Sequence, residues 1–112
     1  MKKILVIGGS KGIGKAIIAS LIEKNNIINL SRTAPSLTHE NLTHYNCDIL
    51  SDELPQLEAV DTLIYCPGSI NLKPISRLKL DDFRADFEIN VVGAVKAIQQ
   101  YLPLLKRGNT PS

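Results

Sequence analysis

The stretch ILVIGGSKGIGKA, residues 4 to 16, constrains this chain more than any other. Lys3 to Ile7 is a β-branched apolar run ended by Gly8 and Gly9, which predicts a strand buried on both faces, as parallel strands are. From Gly12 to about Lys24, Ile13, Ala16, Ile17 and Leu21 recur at helical spacing, and Asn25 and Asn26 supply a stop. A strand therefore turns directly into a helix through glycines. The first amides of such a helix have no partner within it, and its dipole presents positive charge there, so the turn suits a phosphate.

The glycines can be read in two registers. From Gly9 the spacing GxxxxGK is most of a P-loop, but Ala16 follows Lys15 where a hydroxyl would have to hold Mg²⁺, and no apolar strand ends in a suitable Asp. From Gly8 the spacing is GxxxGxG. Gly8 makes the tight turn, Gly12 lets the backbone approach a pyrophosphate, and Gly14 lets helix and strand pack closely. The dinucleotide register satisfies its own requirements and the P-loop register does not. Arg32 stands eighteen residues beyond Gly14, near the position where an acid would meet the ribose of NAD, and no acid is found from Leu30 to Thr33. A guanidinium favours a 2′-phosphate, so Ser10, Lys11, Ser31 and Arg32 together predict NADP.

Further strands are expected at Ile27 to Leu30, Thr43 to Cys47 and Asp61 to Cys66, with a brief helix from Asp52 to Glu58 capped by Ser51. Pro67-Gly68 stops the last strand, and a polar loop with Pro74 comes next. From Asp81 to about Lys106 one long helical pattern aligns Phe83, Phe87, Asn90, Ala94, Ala97 and Tyr101, with Pro103 set to kink or end it and Gly108 to stop the chain in a loop. Strands alternating with helices predict an α/β fold with a parallel sheet of about four strands, and analogy with the Rossmann-like doubly wound fold gives the expected order 3-2-1-4. No fifth strand is legible after the long helix.

At 112 residues with 44% apolar and 21% charged residues, the chain reads as one domain, residues 1 to 112, with an ordinary core. A net charge of +2 and 4% aromatics argue against nucleic acid as a partner, and no apolar run approaches the roughly 20 residues that span a bilayer. A cytoplasmic location is expected. Cys47 and Cys66 each close an apolar run and read as reduced thiols, while His39 and His44 read as solvated loop residues with no zinc spacing, so no metal site is expected.

These residues resemble the short-chain dehydrogenase/reductase family from Lys3 to about Gly108. Gly8-Gly9-Ser10-Lys11-Gly12-Ile13-Gly14 is similar to its glycine motif, although Ile7 stands where Thr is usual and a hydroxyl that would tie down the turn is lost. The resemblance implies that Asp48 accepts from the adenine amine and Ile49 packs beside the ring. It places Cys66, Pro67 and Gly68 at the turn beside the cofactor, where only Gly68 matches the usual Asn-Asn-Ala-Gly. Phe87 to Gly93 looks like the helix carrying the family's catalytic Asn, here Asn90. Its amide lies on the apolar stripe between Phe87 and Ala94, and burial would oblige it to find a partner at a cost of about 1–3 kcal/mol if it did not.

The family's Ser, Tyr and Lys, the Lys four residues after the Tyr, are not identifiable. Tyr101 and Lys106 are five apart with Pro103 between them, and Tyr45 and Tyr65 lack a Lys at the fourth position. The chain thus reads as the cofactor-binding half of an NADP(H)-dependent oxidoreductase acting on a small carbonyl or alcohol, inactive alone and ending before the catalytic Ser. A non-catalytic NADP(H)-binding or sensing module is the alternative, and a fragment ordered by self-association a third. The open edge at Leu63, Ile64 and Tyr65, and the family's use of the long helix for pairing subunits, lead to the expectation of a homo-oligomer.

Overall fold

The computed structural model describes residues 1–67 and 79–105, and for Phe83 the backbone alone. Its elements are β1 (Lys2–Ile7), α1 (Gly12–Leu21), β2 (Asn25–Ser31), β3 (Leu42–Asn46), β4 (Thr62–Tyr65), α2 (Leu80–Phe87), a π-helical turn (Glu88–Val92), α3 (Gly93–Tyr101) and a 3₁₀ turn (Leu102–Leu104). The four strands form one parallel sheet in the order β3-β2-β1-β4. Ile4 pairs with Ile27 on one side and Thr62 on the other, so β1 is central. Such a sheet buries both faces, and alternation along β1 divides the core accordingly. Ile4 and Val6 pack with Ile18, Ile22 and Ile27 under α1. Leu5 and Ile7 pack with Leu30, Cys47, Ile49, Val60, Ala97 and Tyr101 under α3.

Three expectations are corrected. The buried face of α1 and its end is Gly14, Ile18 and Ile22, whereas Ile13 is 77% exposed and Ala16 is exposed. Gly14 draws the helix against the glycine turn, and that contact sets the rotation of every later residue. No helix forms over 52–58; one turn closes where the Asp52 amide donates to the Asp48 carbonyl at 2.9 Å, and the segment then runs on irregularly. Pro55 has no amide hydrogen with which to extend a helix. The long C-terminal helix is broken at Glu88–Val92 by the π turn, and it ends at Tyr101, with Pro103 in the adjoining 3₁₀ turn.

Leu105 makes a parallel bridge to Val60, whose amide donates to the Leu104 carbonyl at 2.9 Å, so sheet-like pairing resumes just before β4. Residues 106–112, with the expected stop at Gly108, lie outside the described residues.

Tyr101 anchors α3. It is fully buried, and its hydroxyl donates to the Pro55 carbonyl at 2.9 Å. Burial first, and the charge of an ionised Cys47 second, push its pKa up to about 12. The phenolate is disfavoured in the fold relative to the unfolded chain, where the pKa is about 10, so the stabilisation is whole below that value and is lost as pH rises toward 12. The wild-type melting temperature should fall more steeply than that of Tyr101→Phe through this alkaline window. At neutral pH the phenylalanine variant should be less stable by about 1–2 kcal/mol through the lost hydrogen bond. Parallel alkaline curves for the two proteins would contradict this.

Candidate nucleotide site

The C-terminal ends of β1, β2 and β4 open into a cavity of about 790 Å³. Its floor and near wall are the glycine turn: Gly8, Ser10, Lys11, Gly12, Ile13 and Gly14 all line it. Ser31 and Arg32, at the end of β2, form a second wall with Thr33. Asp48 and Ile49 after β3, and Cys66 and Pro67 after β4, complete it. Gly68 lies outside the described residues. The twelve other residues picked from the sequence as cofactor contacts therefore share one cleft, at the strand ends where open α/β sheets bind ligands.

The turn's backbone explains its glycines. Gly8 has φ +84° and its amide donates to the Leu30 carbonyl at 2.7 Å, while Pro67 lies 2.8 Å from where a side chain would begin. Gly12 has φ +57°, and a Cβ there would meet nothing within 4 Å, because it faces the open cleft. Gly14 packs on the turn itself, its missing Cβ occupied by the Gly8 carbonyl oxygen. Helix α1 begins from Lys11 with no side-chain cap and no acid in its first turn. Its first amides are consequently without a built-in acceptor side chain, a surface suited to an anion.

Ile7 offers the turn no hydroxyl, and a residue missed in the sequence ties it down. Asn29 is fully buried in β2, and its Oδ1 accepts from the Gly9 amide at 2.9 Å. Gly9 is bare because a Cβ would strike that same amide and Ile18. The signal was present: Asn29 is a polar residue at an inward position of an apolar strand, between Ile27 and Ser31. His44, expected in a solvated loop, is instead in β3, half-buried and 3.0 Å from Asn29 Nδ2. His39 is half-buried too, its Nδ1 accepting from the Asn41 amide at 3.0 Å.

Asp48 is already engaged locally, its Oδ1 accepting from the Leu50 amide at 2.9 Å and its own amide donating to Asp52 at 2.7 Å. Ile49 is buried in the core beneath the cleft. The cysteines are unpaired, Cys47 buried and Cys66 half-buried. Burial raises both thiol pKa values; at Cys47 Asp52 adds to the rise, Lys96 opposes it and Asp48 adds a smaller push. Neither is an activated nucleophile.

Asn90 sits in the π turn and is exposed, not buried on an apolar stripe as its spacing suggested. A π turn inserts an extra residue and rotates the helix beyond it, so Phe87 and Asn90 face outward while Ala97 and Tyr101 face the core. Its neighbour Ile89 lines the cleft, and the Ile89 carbonyl accepts from the Tyr65 hydroxyl at 2.6 Å. Gly93 leaves room for that hydroxyl, and burial raises the Tyr65 pKa, which keeps it a donor. Among the described residues no cluster of His, Cys, Asp or Glu could hold a metal ion, and no helix is long and apolar enough to cross a membrane.

Comparison with known proteins gives the family and agrees with the fold. The family model for short chain dehydrogenases matches residues 2–110. A benzil reductase, (S)-benzoin forming, from Bacillus subtilis is 28% identical over 116 residues, covering 90% of this chain and 48% of that protein. A short chain dehydrogenase family protein from Francisella tularensis superimposes with a TM-score of 0.78 at 24% identity, covering 95% of this chain and 47% of that one. A short chain dehydrogenase from Leptospira borgpetersenii, solved with bound NAD+, gives 0.77 at 22% identity, covering 92% and 45%. The chain thus spans about half the length of the relatives it matches.

Proposed function

The chain belongs to the short-chain dehydrogenase family, and from that premise we propose that it is the NADP(H)-binding domain of an oxidoreductase acting on a small carbonyl or alcohol. The observation that carries the reading is the meeting of Arg32, Lys11, Ser10 and Ser31 with the uncapped start of α1 around one cleft. Gly12 leaves its side of the cleft bare, so a pyrophosphate can reach the first amides of α1. Arg32 supplies charge for a 2′-phosphate, and the absence of an acid at the end of β2 spares that phosphate repulsion. Asp48 and Ile49 border the adenine end, and Cys66 and Pro67 the nicotinamide end.

The chemistry such a cofactor supplies is hydride transfer between its nicotinamide and a carbonyl or alcohol carbon. Asn90, exposed on the π turn next to a cleft-lining residue, is assigned the position of the family's catalytic Asn. We place the protein in the cytoplasm, in keeping with its two unpaired thiols. The test is NADPH oxidation by the whole protein containing this domain, against a panel of aldehydes and ketones. Turnover with NADPH, and at least about tenfold less with NADH, is expected. Tight NADPH binding with no turnover on any carbonyl would replace this reading with that of a binding or sensing module.

Self-association is part of the same proposal. Phe87, Val91, Val95, Ile98 and Leu102 follow helical spacing and are each 43 to 57% exposed, a continuous apolar stripe on the side of α2 and α3 turned from the sheet. Sedimentation should find a dimer or larger, and Val95→Glu a monomer with an unchanged fold. A wild-type monomer at high concentration would contradict the assignment.

A further inference from the structure

We propose that Asn29, which does not line the cleft, is a positioning residue that sets its preference for a 2′-phosphate; the inference rests on the NADP reading above. Its carboxamide is used at both ends. Oδ1 accepts from the Gly9 amide at 2.9 Å, and Nδ2 reaches Ser31 Oγ at 2.9 Å and His44 Nδ1 at 3.0 Å. The directions of these bonds close on one solution. Ser31 donates its hydrogen to the Thr33 carbonyl at 2.6 Å, so its oxygen is available to accept from Asn29. His44 Nδ1 accepts the other amide hydrogen, which leaves its own hydrogen on Nε2, donated to Asn46 Oδ1 at 2.6 Å. A flipped amide would set N–H against the Gly9 N–H, so the network fixes the orientation.

The consequence reaches the cleft by two routes. The Ser31 hydroxyl, held by Asn29, closes onto the Thr33 carbonyl and so brackets Arg32 between two tethered residues. Thr33 in turn donates to the Ser10 hydroxyl at 3.1 Å, which joins the end of β2 to the glycine turn. The Gly9 bond is a further tie between the same two walls, beside the bond from the Gly8 amide to the Leu30 carbonyl. Asn29 thus braces the backbone on either side of Arg32 against the glycine turn, and so sets where the arginine is rooted relative to the α1 amides, the two groups proposed to meet the 2′-phosphate and the pyrophosphate together. A buried apolar residue would leave the Gly9 amide without this acceptor and release Ser31, so the walls would be joined by the Gly8–Leu30 backbone bond and the exposed Thr33–Ser10 bond.

The experiment measures, by calorimetry, the ratio of dissociation constants for 5′-AMP and 2′,5′-ADP, two probes that differ by the 2′-phosphate alone. Wild type, Asn29→Leu and Thr33→Val are compared. The wild-type ratio should be at least about ten. Asn29→Leu should lower it by at least about fivefold, and Thr33→Val, which severs the link to Ser10 without touching the core, by about threefold. A merely structural role would lower the melting temperature and weaken both probes in parallel, leaving the ratio unmoved. A wild-type ratio near one fails the NADP reading, and this proposal with it. A wild-type preference that survives within about twofold in Asn29→Leu overturns this proposal alone, and should that variant not fold, the same result in Asn29→Ala, measured in the same way, does so.

Discussion

Alanine at Gly14 is expected to abolish nucleotide binding and to destabilise the domain at the same time. Its Cβ would fall on the Gly8 carbonyl oxygen, with the Gly8 carbonyl carbon and Gly9 Cα each 3.0 Å away. All three are backbone atoms of one turn, so no side-chain rotation relieves the clash, and either α1 lifts or the turn opens. Overpacking of this kind costs about 1–3 kcal/mol, or roughly 4–8 °C of melting temperature per kcal/mol in a domain of this size. Because the α1 amides move with the turn, NADPH affinity should drop by at least about a hundredfold. Gly12→Ala is the control with the opposite balance. Its Cβ would meet nothing, so stability should fall by about 1–2 kcal/mol through the left-handed backbone alone, while the methyl group should protrude into the space proposed for the pyrophosphate. Thermal unfolding and calorimetry on both variants check this; Gly14→Ala with wild-type stability and affinity would contradict it.

Arg32→Asp should invert the coenzyme preference. The arginine is exposed and lines the cleft beside Ser31, where each charge-assisted hydrogen bond to a phosphate is worth about 1.5–3 kcal/mol. Losing the guanidinium and adding a carboxylate should weaken NADPH by about a hundredfold and leave NADH unchanged or tighter, since an aspartate can accept from the ribose 2′-hydroxyl. The wild-type preference should also shrink as salt is raised, because the site is open to solvent. An Arg32→Asp protein that still discriminates as wild type does would remove Arg32 from the account.

The sheet and the cleft were legible in the sequence because both depend on local patterns. Lys3 to Ile7, the glycine spacing and the three later apolar runs mark four strands, analogy with the doubly wound fold supplies their order, and in that order the residues at their ends converge. The features that escaped depend on partners distant in sequence. The face that α1 buries is set by Gly14 meeting Gly8, not by the apolar residues Ile13 and Ala16. The outward turn of Asn90 arises from one extra residue in the π turn, which leaves the apolar spacing before and after it intact and so leaves no mark on periodicity. Asp52 to Glu58 has helix-forming composition, but Pro55 stops the helix and its carbonyl serves Tyr101 from across the fold. Asn29 was visible as an anomaly in an apolar strand, and its meaning required Gly9, Ser31 and His44 to be brought around it.

The central claim is that this glycine turn and the end of β2 form a single site for a nucleotide bearing a 2′-phosphate. Titrating the unaltered 112-residue chain with NADPH and with NADH, at one salt concentration, tests it most directly. The account predicts NADPH bound more tightly by at least about tenfold. Equal affinities, or tighter binding of NADH, would contradict it.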